Sequence, residues 1–304
     1  MFALGLSLTF LFQACGGDTT SSDVTTAPGS EAPSAQITDS GKSKSDNSMA
    51  ALTQEHKGDA PTATPIAIAE PTVPVTGESV TYATIDGQAV TGYLAKPTAE
   101  VDTDLPAILA IHEWWGLNDN IKAMTRRLAG EGYTVLAVDL YNGQTATDPT
   151  AAKDLMRGVM DSPGPAQDNI LQAASYLMDE QNAPTLGSIG WCFGGNWSLR
   201  TGLLVEDLDA VVIYYGQLIL APEALDGLDA PVAGFFGEAD TSIPVQDVEN
   251  FEEMLSNQGK YVEVTIYPEV GHAFANPSGK NYDAAAAEDA WEKTTAFFAQ
   301  TLKG

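Results

Sequence analysis

Residues 190–195 read Gly-Trp-Cys-Phe-Gly-Gly, which is a Gly-x-Cys-x-Gly motif. An apolar segment with strand character, 185–189, precedes the motif, and a segment that can form a helix, 196–205, follows it. A strand, a sharp turn between glycines and a helix make up a nucleophile elbow, which usually carries serine. Here the reactive position is Cys192, and the helix N-terminus beneath it favours a thiolate. The motif therefore predicts a thiol nucleophile held above a sheet.

A base for this thiol must come from the three histidines of the chain. His272 fits best, because it follows a strand candidate, 261–267, and loops at the carboxyl ends of strands carry the reactive groups of open α/β sheets. His112 stands directly before Glu113 at the end of another strand candidate. His56 lies in a Ser/Thr/Ala-rich tract that we expect to be unfolded.

An acid that could orient His272 lies between the motif and this histidine. Asp240 follows the apolar strand candidate 231–236, and Glu238 stands two residues before it. Either carboxylate could orient the imidazole, and we favour Asp240 because its place just past the strand matches the acid of α/β-hydrolases. The order Cys192, Asp240, His272 is the order of nucleophile, acid and base in those enzymes.

Five motifs resemble those of the dienelactone hydrolase family of α/β-hydrolases. In the family's order they are IHEWWGLN at 111–118, VDLY at 138–141, GWCFGG at 190–195, FGEAD at 236–240 and GHAF at 271–274. The match extends roughly from Val80 to the C-terminus. The resemblance implies an α/β-hydrolase fold, with a mainly parallel twisted sheet and helices on both faces. It also implies hydrolysis of ester or lactone bonds in small molecules.

The resemblance assigns roles to individual residues. Cys192 would be the nucleophile, His272 the general base and acid, and Asp240 its orienting partner. Glu113 matches the family's glutamate that hydrogen-bonds the resting cysteine and helps to deprotonate it. A carboxylate in an apolar pocket has a raised pKa and is a competent base.

The oxyanion hole and the substrate pocket follow from the same resemblance. The backbone N–H groups of Trp114 and Phe193 would hold the oxyanion. Aromatic side chains could line an apolar pocket or belong to the core; they are Trp114, Trp115, Tyr141 and Trp191.

Asn276 departs from the family pattern. Members that cleave dienelactone bind the substrate carboxylate with an arginine four residues after the catalytic histidine, and this position is Asn276 here. An amide cannot replace the charged, bidentate contact of arginine. Arg157 could supply another cation or be an ordinary exposed helix residue. Specificity for an anionic lactone is therefore open.

The first 76 residues predict two segments outside the folded domain. Residues 1–14 form an apolar run too short to span a bilayer, and they end in a small residue before a cysteine, which resembles a bacterial lipoprotein signal. Cleavage would leave Cys15 lipidated and the protein anchored in the cell envelope, facing the periplasm or the exterior. A secretory signal or an uncleaved anchor is the alternative. Residues 15–76 predict a disordered Ser/Thr/Ala/Pro tether, and 77–304 one α/β domain.

Composition restricts the partners of the protein. The net charge of −27 excludes nucleic acid and electrostatic docking to anionic lipid. The histidines are sparse, there is no cysteine pair, and the carboxylates show no ligand spacing, so we expect no metal site. No cofactor is expected either, and a monomer is the expected state. With Cys15 lipidated and Cys192 catalytic, neither of the two cysteines forms a disulfide.

Alternating strand and helix patterns predict the elements of the domain. The hairpin 79–85 and 88–95 turns at Asp86 and Gly87. Further strands are predicted at 107–111, 134–138, 186–190, 210–215, 231–236 and 261–267, and helices at 121–131, 149–160, 165–180, 195–205, 245–258 and 283–302. This alternation favours a mainly parallel sheet covered on both faces.

Other functions remain compatible with the same sequence. A scaffold of this kind could serve a non-catalytic binding lipoprotein, since fold alone does not fix function. A cysteine acyltransferase or peptidase would use the same nucleophile. A redox-sensing thiol is disfavoured, because no resolving cysteine is available.

Overall fold

The computed structural model describes residues 50–59, 71, 73–99 and 104–304. The predicted signal, 1–14, and the predicted lipidation site, Cys15, lie outside these ranges. Within them, no helix combines the length and the apolar character that crossing a membrane requires.

An eight-stranded sheet lies at the centre of the domain. Its strands are β1 (Val75–Ile85), β2 (Gln88–Pro97), β3 (Ala107–Ile111), β4 (Thr134–Val138), β5 (Leu186–Trp191), β6 (Ala210–Tyr214), β7 (Val232–Gly237) and β8 (Val262–Tyr267). Their order across the sheet is β1-β2-β4-β3-β5-β6-β7-β8. The pairs β1–β2 and β2–β4 are antiparallel, and all other neighbours are parallel. The predicted α/β fold with a mainly parallel sheet is confirmed.

The central strands β3 to β7 are buried along their whole length. Because successive side chains of a strand point to opposite faces, this continuous burial shows that both faces of the sheet are covered. The edge strands β1 and β8 are only partly buried. β3 and β4 have the predicted bounds. β5, β6 and β8 differ from prediction by one residue at one end, and β7 is shifted by one residue at both ends.

Six helices of eight residues or more connect and cover the strands in the described part of the chain. They are α1 (Asp119–Gly130), α2 (Pro149–Asp161), α3 (Gly164–Ser175), α4 (Phe193–Leu204), α5 (Val245–Asn257) and α6 (Ala284–Leu302). The predicted helix 165–180 divides into α3 and a π-helical turn, Tyr176–Glu180, and the sequence did not indicate the 3-10 turn at Pro222–Leu225. α4 packs against β5 and β6 directly after the Gly-x-Cys-x-Gly motif.

Residues 50–59 fold against this domain, within the segment 15–76 that the sequence predicts to be a disordered tether. Residues 50–55 are helical, and His56 follows them in a turn with its side chain fully buried. The expectation that His56 lies in unfolded chain is therefore wrong. The local composition contains too few apolar residues to bury itself, and the burial comes from contacts with the rest of the domain.

Candidate active site

Loops at the carboxyl ends of four parallel strands bring the predicted site residues to one edge of the sheet. Glu113 follows β3, Cys192 follows β5, Asp240 follows β7 and His272 follows β8. This edge is where open α/β sheets bind their ligands. The side chains of all four residues are buried.

Cys192 occupies a strained turn between β5 and α4. Its φ is 56° and its ψ is −115°, a backbone conformation that non-glycine residues rarely adopt. Such a conformation costs on the order of 1–3 kcal/mol and persists only where the surrounding packing enforces it. The strain is a feature of the nucleophile elbow that the motif predicts.

The glycines of the motif are required by close approach of backbones. A Cβ on Gly190 would lie 2.0 Å from the carbonyl oxygen of Gly194, and a Cβ on Gly194 would lie 2.2 Å from that of Ile111. A Cβ on Gly195 would lie 2.8 Å from the Cα of Gly216. The elbow therefore packs directly on the end of β3 and on the loop after β6, with no room for side chains.

His272 is paired with Asp240. Nδ1 of His272 donates a hydrogen bond of 2.7 Å to Oδ2 of Asp240. Oδ1 of Asp240 accepts from the Ser242 hydroxyl at 2.6 Å and from the backbone N–H groups of Ser242 and Ile243 at 2.8 and 3.0 Å. Burial opposes ionisation of Asp240, but His272 and these donors outweigh it and lower the pKa of the carboxyl.

Glu238, the alternative acid, is not placed at the imidazole. Its Oε2 accepts from the backbone N–H of Glu269 at 3.0 Å. The structure thus brings Asp240, and not Glu238, to His272.

The thiol of Cys192 lies beside imidazole nitrogens. The ligand atoms of Cys192, His56 and His272 all lie within 4.8 Å of one another. Burial alone would raise the pKa of Cys192, but the positive charges of His272 and His56 outweigh it and lower the pKa to about 6. Burial would lower the pKa of His272, and the charges of Asp240 and Cys192 instead raise it well above its usual value. The site therefore favours a thiolate next to an imidazolium.

His56 is the site residue that sequence reasoning missed. Its Nε2 lies 3.8 Å from the Cys192 sulfur, and its Nδ1 donates to Oδ2 of Asp59 at 2.8 Å. The ring stacks on Trp114 with centroids 4.4 Å apart and meets His272 edge-on at 5.2 Å. The one sequence signal is an acid three residues after the histidine, which has little meaning in a tract expected to be unfolded.

Polar contacts hold residues 50–59 over the site. Oε2 of Glu55 accepts from the Asn281 side chain at 3.2 Å, and Oε1 accepts from the backbone N–H of Thr241 at 3.3 Å. Oδ1 of Asp59 accepts from the backbone N–H of Lys280 at 2.9 Å. These partners lie on the loops after β7 and β8, which also carry Asp240 and His272. With this segment in place, only 3 % of Cys192 is exposed.

Glu113 faces Asn276 and not the thiol. Its Oε2 accepts from Nδ2 of Asn276 at 2.7 Å, and its Oε1 lies 3.5 Å from the Tyr215 hydroxyl. Burial and the charge of Cys192 raise the pKa of Glu113 to about 7. Among the described residues, Glu113 makes no hydrogen bond to Cys192. The hydrogen bond to the resting cysteine that the resemblance implied is therefore not formed here, and the Cys192 sulfur lies 3.8 Å from Nε2 of His56 instead.

A small pocket, with room for about one water molecule, lies beside Glu113. Its lining residues are Glu113, Asn120, Ile121, Met124, Trp191, Tyr215, Ala275, Asn276 and Pro277. Of the predicted pocket residues, Trp191 and Asn276 thus line it. Trp115 instead packs edge-on against His56, and Tyr141 packs against His112 and Phe193. Arg157 stands at an exposed position of α2.

The predicted oxyanion donors belong to the two segments that pack together at the elbow. Phe193 is the first residue of α4, where backbone N–H groups have no acceptor within the helix. Trp114 lies in the loop after β3. Hydrogen bonds of His112 hold this loop in place. Nε2 of His112 accepts from the backbone N–H of Leu140 at 3.1 Å, so Nδ1 carries the proton and donates to the Glu113 carbonyl at 2.6 Å.

Comparison with known sequences gives one family. The sequence model of the dienelactone hydrolase family matches residues 90–302. A protein of Salmonella typhimurium named "Putative carboxymethylenebutenolidase" is 32% identical over 270 residues, covering 82% of this chain and 98% of its own. "Protein usf" of Aquifex pyrophilus is 31% identical over 225 residues, covering 71% of this chain and 96% of its own.

Solved structures agree with this result. A Klebsiella pneumoniae protein named "Putative Dienelactone Hydrolase" is 27% identical with a TM-score of 0.67, and the match covers 75% of this chain and 99% of that one. An esterase of Thermogutta terrifontis shares the fold at 18% identity and a TM-score of 0.58, covering 74% of this chain and 94% of its own. The resemblance found in the five motifs is confirmed.

Substitution of Gly194 by alanine is expected to destabilise the protein, because the new Cβ would lie 2.2 Å from the Ile111 carbonyl oxygen. Forced overpacking of this kind costs roughly 1–3 kcal/mol or more. Gly158→Ala is the matched control, since it lies within α2 with no atom within 4 Å of the new Cβ, and alanine in a helix gains up to about 1 kcal/mol over glycine. Urea unfolding measures both; equal stability of the two variants would contradict the packing described here.

The ultraviolet absorbance of the thiolate should follow the lowered pKa of Cys192. Since this pKa is about 6, the thiolate should be present at pH 7 and lost on acidification with a midpoint near 6. The signal is the difference between the full chain and Cys192→Ser in metal-free buffer. His56→Ala should move the midpoint upward, because one positive neighbour is lost. A midpoint in the range of an ordinary thiol, about 8.5, would show that the imidazoles do not stabilise the thiolate.

Proposed function

The chain belongs to the dienelactone hydrolase family, and we propose that it hydrolyses ester or lactone bonds of small molecules through Cys192, His272 and Asp240. The observation that carries the proposal is the strained elbow, which holds the buried thiol of Cys192 beside an imidazole whose far nitrogen is bonded to Asp240. Nucleophile, base and orienting acid in this arrangement are the parts of an acyl-transfer site.

Acylation begins with attack of the Cys192 thiolate on the acyl carbon. The carbonyl oxygen takes up the negative charge and is held by the backbone N–H groups of Trp114 and Phe193. When the tetrahedral intermediate collapses, the bond to the alkoxide breaks and the His272 imidazolium gives its proton to the leaving oxygen. The product of this half-reaction is a thioester on Cys192 and a free alcohol, or an opened ring in the case of a lactone.

Deacylation uses the same residues, but His272 now acts as a base and not as an acid. His272, now neutral, takes a proton from water, and the resulting hydroxide attacks the thioester carbon. The same backbone donors hold the second oxyanion. Collapse releases the carboxylic acid and returns the thiolate–imidazolium pair, with Asp240 holding the imidazolium throughout.

The pocket beside Glu113 supports a neutral and largely apolar substrate. None of the described residues that line it is a cation. Asn276 lies at the position of the family's substrate-binding arginine. Its Nδ2 donates to Glu113, and its Oδ1 accepts from Nδ2 of Asn120 at 3.3 Å and from the backbone N–H of Ser278 at 2.9 Å. An anionic substrate would meet Glu113 without a compensating charge, which is unfavourable in a buried site.

Hydrolysis of a panel of neutral lactones and short-chain aryl esters tests the nucleophile. Cys192→Ala should lower kcat/KM by about 10³-fold or more, since removal of a nucleophile leaves only the residual catalysis by oxyanion donors and binding. Gly158→Ala, at an exposed position of α2, is the control and should keep the parent rate. Equal rates of the parent and Cys192→Ala would remove Cys192 from the mechanism.

The same panel tests the charge of the substrate. The parent should prefer a neutral lactone to one that differs by a carboxylate, by about tenfold or more in kcat/KM. Asn276→Arg should reduce this preference, because arginine supplies the bidentate contact that the amide lacks. A parent that prefers the carboxylate-bearing lactone would refute the neutral-substrate assignment.

We further propose that Cys15 carries a lipid and anchors a monomeric enzyme in a bacterial cell envelope. The support is the sequence pattern of residues 1–17, a short apolar run that ends in Ala-Cys-Gly-Gly. The mass of the detergent-extracted protein should match cleavage before Cys15 plus acyl chains. A mass that retains residues 1–14, or one without acyl chains, would contradict the anchor.

A further inference from the structure

Two histidine–carboxylate pairs converge on one sulfur, and we propose that Cys192, His56 and His272 form a binding site for a thiophilic divalent cation of the Zn²⁺ type. The inference does not depend on the hydrolytic activity. The sequence predicted no metal site, because histidines are sparse, there is no cysteine pair and the carboxylates show no ligand spacing. The fold brings them together from the segment 50–59 and from the loops after β5 and β8.

The distances suit a small tetrahedral cation. Zn–N bonds of about 2.0–2.1 Å and a Zn–S bond of about 2.3 Å place two ligands of one ion roughly 3.5 Å apart. Nε2 of His56 is already 3.8 Å from Sγ of Cys192, and no two of the three ligand atoms are more than 4.8 Å apart. Small side-chain rotations therefore close the site around an ion.

Both imidazoles are oriented as zinc ligands are. Nδ1 of His56 donates to Asp59 at 2.8 Å, and Nδ1 of His272 donates to Asp240 at 2.7 Å. Both carboxylates are almost fully buried. A carboxylate bound to the far nitrogen fixes the tautomer and makes the near nitrogen a better donor to a metal. Each Nε2 thus faces the sulfur, and loss of its proton leaves a lone pair for a ligand.

The pair of His56 and Asp59 distinguishes this site from an ordinary nucleophile with a single base. Hydrolysis through a thioester needs one imidazole with one acid, and His272 with Asp240 supplies them. Nε2 of His272 is buried and has no hydrogen-bond partner in the described part of the chain. His56 with Asp59 repeats the arrangement at the same sulfur, which gives three protein ligands.

The ligand chemistry selects the ion. One thiolate and two imidazoles suit Zn²⁺ and other thiophilic ions, whereas Mg²⁺ and Ca²⁺ require oxygen ligands. Three protein ligands leave the fourth position of a tetrahedron for water. Binding converts the Cys192 sulfur to a metal thiolate, and any proton on the thiol or on either Nε2 is released to solvent. A sulfur bound to the ion is a weaker nucleophile, so the loaded protein should form a thioester more slowly than the metal-free protein.

Cobalt reports on this site directly. Metal-stripped full chain titrated with Co²⁺ in the absence of oxygen should show a sulfur-to-cobalt charge-transfer band and the intense visible bands of a tetrahedral ion, both saturating at one equivalent. Added Zn²⁺ should displace the cobalt and remove both bands. Cys192→Ser should lack the charge-transfer band, because no thiolate remains.

The variants test the role of His56. His56→Ala should weaken Zn²⁺ binding, measured by competition with a chelating dye, by about 10²-fold or more, and Asp59→Asn by about 10–100-fold. Lys57→Ala is the control, since Lys57 is exposed in the same segment and should bind Zn²⁺ as the parent does. Circular dichroism of each variant establishes that it is folded.

Two results would overturn the site. One is a cobalt spectrum of an octahedral ion without the charge-transfer band in the folded parent. The other is an unchanged Zn²⁺ affinity in both His56→Ala and Asp59→Asn, which would leave at most a Cys192–His272 pair. Neither result bears on whether the metal-free protein hydrolyses esters, so the two proposals fail independently.

Discussion

The site depends on the close packing of the elbow against the end of β3. Gly194 lies so near the Ile111 carbonyl that a single methyl group would not fit between them. This contact fixes the turn, and the turn forces Cys192 to a φ of 56°. The strain, on the order of 1–3 kcal/mol, is offset by the buried packing of β5 and α4 on either side. The strained conformation of Cys192 has a chemical consequence. It holds the sulfur away from its own sheet and toward the loops after β7 and β8.

Electrostatics at the sulfur follow from this position. The thiol lies between two imidazoles, each bonded to a buried carboxylate, and the surrounding protein excludes water. In such surroundings a charge interacts strongly with its neighbours. The same arrangement that stabilises a thiolate for attack on an acyl carbon also supplies three ligands to a thiophilic cation. With 3 % of Cys192 exposed, a substrate reaches the sulfur only when the structure around it opens, and residues 50–59 are held there by polar contacts at the surface.

Much of this could be predicted from the sequence, because the signals are local. The elbow motif, the buried strands β3 and β4 and the position of Asp240 just past β7 all depend on neighbouring residues. His56 could not be predicted, because its burial comes from contacts with residues far away along the chain, such as Trp114 and Cys192. Its neighbours Glu55 and Asp59 are likewise bound by the distant Thr241 and Lys280. The partner of Glu113 was missed for a related reason. The motif identifies Glu113 as a site residue, but the surrounding tertiary structure sets the direction of its side chain.

If Cys192 is the nucleophile, it carries the acyl group during turnover. Rapid acid quench of the full chain with a slowly hydrolysed aryl ester, followed by intact and peptide mass analysis, would detect this intermediate. We expect a transient mass increase equal to the acyl group, located on the peptide that contains Cys192, which decays as the acid product forms. Turnover at the same rate with no acylated Cys192, or with the acyl group on another residue, would rule out Cys192 as the nucleophile.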